Sequence, residues 1–269
     1  MKNKIIICIT CVGGRLIYDI IKALRDANDY DIKIIGIDSD KNASGRLLCD
    51  SFYIVPHSET DPDGWLKGIY NLSKNENING LITFSEGESR LVGKNKVFFK
   101  KLNIKVTVTS NNIVKILTDK LLMLTYLSKK GLDVGSFYEV NKAEDFMPIA
   151  KKLGYPDHKV VFKPRFGRGS RGVLIADVKQ KVFNQLLPER FCGSGTIKAI
   201  QNICIDRDII ISDYIAMPYY GGNVWDVDVL SKQGKVVNVA ARVRQLKNPL
   251  WPTSTGHKAS ADKRIIVYA

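Results

Sequence analysis

The chain has 269 residues, which is enough for two small domains or one large α/β unit with a lid. Hydrophobic residues make up 45% and charged residues 25% of the sequence, as is usual for proteins with a sizeable buried core. No apolar run approaches the roughly 20 residues that span a bilayer, so we predict a cytoplasmic protein without membrane contact. Five irregularly spaced cysteines match no metal or disulfide pattern, and we predict reduced thiols.

The net charge of +14 is unevenly distributed. Residues 1–115 hold 17 basic and 13 acidic residues, whereas residues 116–269 hold 24 and 14. An anionic ligand is therefore expected in the second half of the chain. Polyphosphate and nucleic acid both satisfy this charge, but there is no RNP-like aromatic motif, zinc-finger spacing or recognition-helix signature. Nucleic-acid binding is the remote alternative.

The first 112 residues alternate between strand and helix patterns. Strands are predicted at Ile5–Thr10, Ile32–Asp38, Gly80–Phe84 and Lys105–Val108, and helices at about Leu16–Ala27, Asp63–Asn75 and Ser89–Leu102. Short apolar strands between amphipathic helices are typical of a parallel sheet covered on both faces. Residues 1–112 are therefore predicted to form a doubly wound α/β domain.

The pattern changes after residue 112. Apolar strand segments at 160–164 and 173–176 flank a turn rich in Gly and Arg, and a helix is predicted at Val178–Leu187. The chain is again rich in strand-forming residues from Ile209 onward, with Gln233-Gly234-Lys235 as a hairpin turn. We predict two α+β lobes, at 113–192 and 193–269, with the second lobe incomplete.

The turn at residues 10–15, between the first strand and helix, contains two adjacent glycines, Gly13 and Gly14. Dinucleotide-binding folds place a G-x-G-x-x-G loop at this point, with an acidic residue such as Asp38 at the end of the second strand. The third glycine is absent here. A tight turn without a cofactor is the favoured interpretation.

The segment from Lys163 to Gly172 carries the strongest functional signal. A lysine near the end of a buried strand is costly unless its ammonium meets an anion. The following residues include three glycines and three arginines, which would let the backbone bend closely around a polyphosphate surrounded by cations. The order of residues is not that of a Walker A loop, because the lysine precedes the glycines.

Lys163-Pro164 followed by this glycine-rich hairpin resembles the phosphate-covering loop of the ATP-grasp superfamily. Further motifs in family order are Asp119-Lys120, the hinge-like Ser212-Asp213-Tyr214-Ile215, and the strand segments Trp225–Leu230, Gly234–Val237 and Ala241–Arg244. The N-terminal domain is similar to the pre-ATP-grasp domain of the carbamoyl phosphate synthase large chain and its single-module relatives. The resemblance covers nearly the whole chain.

The resemblance implies an ATP-dependent carboxylate–amine ligase, in which ATP phosphorylates a small carboxylate and an amine attacks the acyl phosphate. It also allows a homodimer. The implied ATP-binding residues are Lys120 and Lys163 on the phosphates, Gly167, Arg168, Gly169, Ser170, Arg171 and Gly172 in a flexible lid, and Asp213, Tyr214 and Ile215 on adenine. Arg242 is the implied catalytic residue, facing the transferred phosphate or the substrate carboxylate.

Two departures from the family pattern concern acidic residues. The hinge has Asp213 in place of glutamate, and the position of the ribose-binding acid falls at Asn223 or Val224. After Asp228 the only acidic residue is Asp262, so the family's Mg²⁺ ligands are not found. We therefore expect a chain that ends before the magnesium site, and a nucleotide-binding module without catalysis is the alternative function. The carboxylates of Asp226 and Asp228 are expected to pair with Arg242 or Arg244.

Overall fold

A computed structural model describes most of the chain. The described residues are 2–14, 16–167, 171–179, 181–185, 191–209, 211–244, 257–260, 262–263 and 265. They form two compact units, residues 1–118 and residues 119–269. Within the described ranges, no helix is long and apolar enough to cross a membrane.

The first unit is built on a parallel five-stranded sheet with the order β3-β2-β1-β4-β5. Its strands are β1 Asn3–Thr10, β2 Tyr30–Asp38, β3 Ser51–Ile54, β4 Gly80–Ile82 and β5 Lys105–Val106. Its helices are α1 Ile17–Arg25, α2 Pro62–Glu76, α3 Glu86–Lys94, α4 Lys96–Lys101 and α5 Asn111–Thr118. This arrangement confirms the predicted doubly wound sheet.

Side-chain alternation along β1 explains why both faces of this sheet are covered. Cys8 belongs to the larger apolar cluster, which includes Trp65 of α2, whereas the next residue, Ile9, packs in a second cluster with Ile17 of α1. Successive strand residues point to opposite faces, so each face receives its own helices. Val114 of α5 joins the larger cluster, and the predicted boundary after residue 112 therefore falls inside a helix of the first unit.

The second unit contains a six-stranded mixed sheet and a separate three-stranded antiparallel sheet, with the orders β6-β11-β7-β8-β10-β9 and β12-β13-β14. The strands of the larger sheet are β6 Tyr138–Val140, β7 Val160–Pro164, β8 Val173–Ala176, β9 Val182–Gln185, β10 Phe191–Gly195 and β11 Tyr214–Pro218. The helices are α6 Lys120–Lys129, α7 Phe146–Lys152 and α8 Ile197–Asp206. The smaller sheet consists of β12 Val224–Lys232, β13 Lys235–Arg244 and β14 His257–Ser260.

The larger sheet bears on two details of the sequence prediction. The helix predicted at Val178–Leu187 is wrong, because β9 lies there and pairs antiparallel with β10. Val and Phe favour a strand once a neighbouring strand is available, and the sequence alone did not reveal that neighbour. The boundary predicted after residue 192 cuts β10, and β11 extends the same sheet to Pro218. The predicted hairpin turn is confirmed, since Gln233 and Gly234 both have positive φ.

Candidate functional site

Lys163 projects from β7 on the face opposite the main core of the second unit. The preceding residue, Phe162, is fully buried in that core, so alternation places Lys163 on the other face of the sheet. Lys163 is half-buried, and among the described residues no hydrogen bond or ion pair holds its ammonium. Burial, together with the positive charge of Lys120, lowers the pKa of Lys163. An uncompensated cation of this kind favours an anionic ligand.

Lys120 connects the first turn of α6 to the beginning of the glycine-rich segment. Its ammonium donates to the carbonyl oxygens of Gly167 at 2.8 Å and Arg165 at 3.3 Å. Its backbone N–H also donates to the Arg165 carbonyl, at 3.0 Å. The two lysines predicted from sequence therefore lie at the same end of β7, but in the described structure only Lys120 is held by carbonyl groups.

The glycine-rich segment leaves and returns to the sheet through glycines with left-handed backbone conformations. Gly167 has φ +105° and Gly172 has φ +71°. The Gly172 N–H donates to the Phe191 carbonyl at 2.6 Å, and a Cβ on Gly172 would lie 2.7 Å from Pro164 Cγ. Only glycine suits such a position. The predicted lid residues Arg168, Gly169 and Ser170 lie outside the described residues; Gly167, Arg171 and Gly172 lie within them.

Arg165 does not act as one of the phosphate-surrounding cations that the sequence suggested. Its guanidinium binds Asp119 through Nε–Oδ1 at 3.2 Å and Nη2–Oδ2 at 2.6 Å, and binds Glu139 through Nη1–Oε1 at 2.7 Å. All three guanidinium nitrogens thus face carboxylates. No local sequence signal identifies this role, which depends on contacts with Asp119, the N-cap residue of α6, and with Glu139.

Of the hinge residues, Tyr214 and Ile215 lie on β11, which has a neighbouring strand on each side, and Asp213 lies directly before it. The Arg165 N–H donates to the Asp213 carbonyl at 2.6 Å, which fixes the alternation of hydrogen-bonded pairs between β7 and β11. In that alternation Ile215 pairs with Lys163, and Tyr214 faces Val140 of β6. Adenine contacts of Tyr214 and Ile215 through their backbone stay a prediction, one that would require this ladder to open. The Asp213 side chain is exposed.

The sheet face around Lys163 is apolar. A small cluster formed by Ile175 and Cys192 lies on β8 and β10, with Val161 of β7 and Tyr219 packed against it. Val161 and Lys163 are two residues apart on one strand and therefore share a face. A cation and an apolar surface are thus adjacent on the same side of the sheet.

Arg242 lies on the three-stranded sheet, not on the sheet that carries Lys163. It pairs with Asp228 at 2.5 Å, and Arg244 lies 3.7 Å from Asp226. Both acids of β12 therefore have an arginine of β13 as partner, as expected from the sequence. In the part of the chain that the structure describes, no three His, Cys, Asp or Glu side chains form a group that could hold a metal ion. The described residues do not fit a family-type Mg²⁺ site.

In the first unit, hydrogen bonds between backbone N–H groups and the Asp38 carboxylate hold the turn after β1. The Gly13 N–H donates to Asp38 Oδ2 at 2.9 Å, and Asp38 Oδ1 accepts from the Asp40 N–H at 3.0 Å. Cys11 has φ +52°, as in a tight turn. Asp38, the acid considered for a ribose, is thus bonded to backbone groups, which favours the cofactor-free interpretation; Arg15 lies outside the described residues.

Comparison with known proteins gives a family match within the first unit. Residues 7–107 match the family described as the PylC-like N-terminal domain. No curated protein sequence matches the chain.

Solved structures match over both units. An L-amino acid ligase from Bacillus licheniformis is 15% identical with a TM-score of 0.66, covering 100% of this chain and 58% of that chain. The N5-carboxyaminoimidazole synthetase of Staphylococcus aureus complexed with ADP is 15% identical with a TM-score of 0.61, covering 92% and 56%. Biotin carboxylase from Campylobacter jejuni is 15% identical with a TM-score of 0.60, covering 91% and 52%.

The chain spans between half and three-fifths of the length of these structures. They are ATP-grasp enzymes, and identities near 15% show a shared fold. The observed sheets, the order of elements and the PylC-like first domain agree with that comparison. The chain therefore has the α/β architecture of the ATP-grasp ligases, with a doubly wound N-terminal domain ahead of the ATP-grasp fold.

Proposed function

We propose that the second unit binds the phosphates of ATP or ADP at Lys163. The observation that carries this proposal is the half-buried ammonium of Lys163, which lacks a partner among the described residues and stands beside a second cation, Lys120. Two cations beside a loop bounded by Gly167 and Gly172 can neutralise a polyphosphate and bring backbone N–H groups close to it. The S. aureus structure with similar fold contains ADP, which supports the same ligand here.

We place the base on the apolar face next to Lys163, formed by Val161, Ile175 and their neighbours. The pairing of β11 with β6 ends at Ala216. Backbone carbonyls two residues apart on a strand point the same way, so the Pro218 carbonyl points toward the β6 side, beyond the last paired residue. That carbonyl is an acceptor suited to an exocyclic amine of adenine. A base stacked on an apolar surface with its polar edge at a strand terminus is a common arrangement in ligand pockets.

The reaction proposed for the protein is that of a carboxylate–amine ligase, with a small carboxylic acid and an amine as substrates. In this proposal Lys163 and Lys120 hold the phosphates and offset their charge, and positioning and charge neutralisation are the main contributions a protein makes to phosphoryl transfer. Arg242 would act on the transferred phosphate or the carboxylate only after leaving Asp228. The described acids do not form a group that could hold Mg²⁺.

A nucleotide-binding module without catalysis is the second candidate. It is favoured by the engagement of Asp226 and Asp228 with arginines, which leaves these carboxylates unsuited to a hard cation. An ADP-release assay with Mg²⁺, bicarbonate and a panel of amino acids separates the two candidates. Turnover near 1 per second or above, within the common range for enzymes, supports the ligase. ATP binding without ADP release supports the module.

Isothermal titration calorimetry tests the binding step directly. The protein is titrated with ATP, ADP, inorganic tripolyphosphate and a single-stranded oligonucleotide at two salt concentrations. The proposal expects ATP and ADP to bind more tightly than tripolyphosphate, because the apolar face adds contacts with the base. Stronger binding of the oligonucleotide, with a steep salt dependence, would instead favour the nucleic-acid alternative.

A further inference from the structure

Arg165 connects three separate segments at the end of β7. Its backbone N–H closes the ladder to Asp213, and its carbonyl accepts both donors of Lys120. Its guanidinium reaches Asp119, directly before α6, and Glu139 of β6. One residue therefore joins α6, β6 and β11 immediately before the glycine-rich segment begins.

The ion pair at the centre of this connection is geometrically restrictive. Asp119 is only 2% exposed, and its Oδ1 also accepts the N–H groups of Leu121 and Leu122 at the N-terminus of α6. Arg165 meets both carboxylate oxygens, and such two-point contacts fix orientation as well as distance. The orientation of α6 relative to the end of β7 is thus set by the fork of one guanidinium.

Lys120 depends on this arrangement. It follows Asp119 directly, its backbone N–H and its ammonium both donate to the Arg165 carbonyl, and the ammonium also donates to the Gly167 carbonyl. We propose that Arg165 is a positioning residue, which holds the Lys120 ammonium and the first residues of the glycine-rich segment in the arrangement that receives an anion. This inference rests on the proposed nucleotide site. Holding groups in place before the ligand arrives lowers the entropic cost of binding.

A direct phosphate contact by Arg165 is the competing role. It is disfavoured because Nε, Nη1 and Nη2 all have carboxylate partners in the described structure. Turning the guanidinium toward a phosphate would leave the buried Asp119 without its counter-ion, which is costly. The two roles differ in a measurable way, since only a positioning residue changes the segment before any ligand is added.

Lys159 provides a matched control at the other end of the same strand. It pairs with the buried Asp177 at 2.6 Å, and its carbonyl accepts the Tyr219 N–H, just as Arg165 closes the ladder at Asp213. Lys159→Met therefore also removes a cation from a buried carboxylate beside β7. Among the described residues, Lys159 contacts Asp177 and Tyr219 and not Lys120.

The test compares the full chain with Arg165→Met, Arg165→Lys and Lys159→Met. Hydrogen exchange of the Phe166, Gly167, Arg171 and Gly172 amides is measured without ligand, urea unfolding gives stability, and calorimetry gives ATP affinity. For Arg165→Met we expect exchange at these amides to rise and ATP affinity to fall, each by roughly 5- to 30-fold, the factor that corresponds to about 1–2 kcal/mol. Arg165→Lys should recover part of both effects, and Lys159→Met should lower stability without raising exchange at these amides.

Unchanged exchange at these amides in Arg165→Met would overturn the positioning role, and so would an equal rise in Lys159→Met. If Arg165→Met does not fold, Arg165→Lys decides by the same criteria, because lysine keeps the charge and lacks the planar fork. The exchange measurement needs no nucleotide. A wild-type protein that does not bind ATP would therefore refute the proposed function, while protection at the four amides would still report separately on Arg165.

Discussion

Replacing Lys163 by methionine should have opposite effects on stability and on nucleotide binding. Burial and the charge of Lys120 lower the pKa of Lys163, so folding disfavours its protonated form. The resulting penalty on the folded state is present in full below the folded-state pKa and disappears as the pH rises through the higher unfolded-state pKa. At pH 7, Lys163→Met removes this penalty and should raise the Tm of the ligand-free protein. In a protein of this size, each kcal/mol gained in the free energy of unfolding raises the Tm by about 2–4 °C.

The same substitution removes the main phosphate cation. A hydrogen bond to a charged group contributes about 1.5–3 kcal/mol, so Kd for ATP should rise roughly 10- to 150-fold. At an ATP concentration of about 100 times the wild-type Kd, the wild-type protein gains about 2.7 kcal/mol of stability. A variant with Kd raised about 100-fold would gain only about 0.4 kcal/mol under the same conditions.

Differential scanning fluorimetry with and without ATP, combined with calorimetry, measures both effects in one pair of proteins. Lys198→Met is the control, because Lys198 is an exposed lysine of α8 and its loss changes the net charge equally. The control should keep the wild-type Kd and ligand-free Tm. Equal ATP affinity in Lys163→Met and wild type would refute the phosphate role. A lower ligand-free Tm in Lys163→Met would refute the argument that its ammonium is uncompensated.

Three further predictions concern the residues around the site. Gly172→Ala should lower the free energy of unfolding by about 1–3 kcal/mol, since its Cβ would lie 2.7 Å from a side-chain carbon. A Cβ on Gly167 would meet no described atom within 4 Å, so Gly167→Ala should cost only about 1–2 kcal/mol in urea unfolding. Asp119→Asn should cost about 1–3 kcal/mol at pH 7. Burial opposes ionisation of Asp119, but hydrogen bonds from Arg165 and the α6 backbone hold its pKa below the ordinary value, so the cost should shrink as the pH falls below about 4. Asp228→Asn should lower the free energy of unfolding by less than about 1 kcal/mol, as measured by urea unfolding, because the ion pair between Asp228 and Arg242 is exposed to solvent.

Local patterns predicted those parts of the fold that local physics determines. The strand ending in Lys163-Pro164, the hairpin at residues 233–234 and the alternating first domain follow from short-range periodicity and turn chemistry. The helix α3–α4 region was predicted as one helix, and the structure interrupts it at Asn95. The short strand β3 was missed because three half-buried residues and one exposed residue give no clear alternation.

Long-range partners could not be predicted in the same way. Arg165 lies 46 residues from Asp119 and 26 from Glu139, and nothing in the local sequence distinguishes it from Arg168 or Arg171. Its role depends on which elements become neighbours in the six-stranded sheet. The same limit applies to β9, whose strand conformation depends on pairing with β10.

The described cations of the candidate site divide into two kinds, and this division determines where binding energy can come from. Arg165 is neutralised by two carboxylates, and Lys120 donates to two carbonyl oxygens. Lys163 has neither kind of partner among the described residues, although burying its charge is unfavourable. Because an ion that is already paired gains little from a new partner, the largest gain on anion binding should come from Lys163. The paired cations then contribute by holding the geometry of the site. Variants of Arg165 and Lys163 should therefore weaken binding for different reasons. An Arg165 variant should have a more mobile glycine-rich segment, whereas a Lys163 variant should have a more stable ligand-free protein.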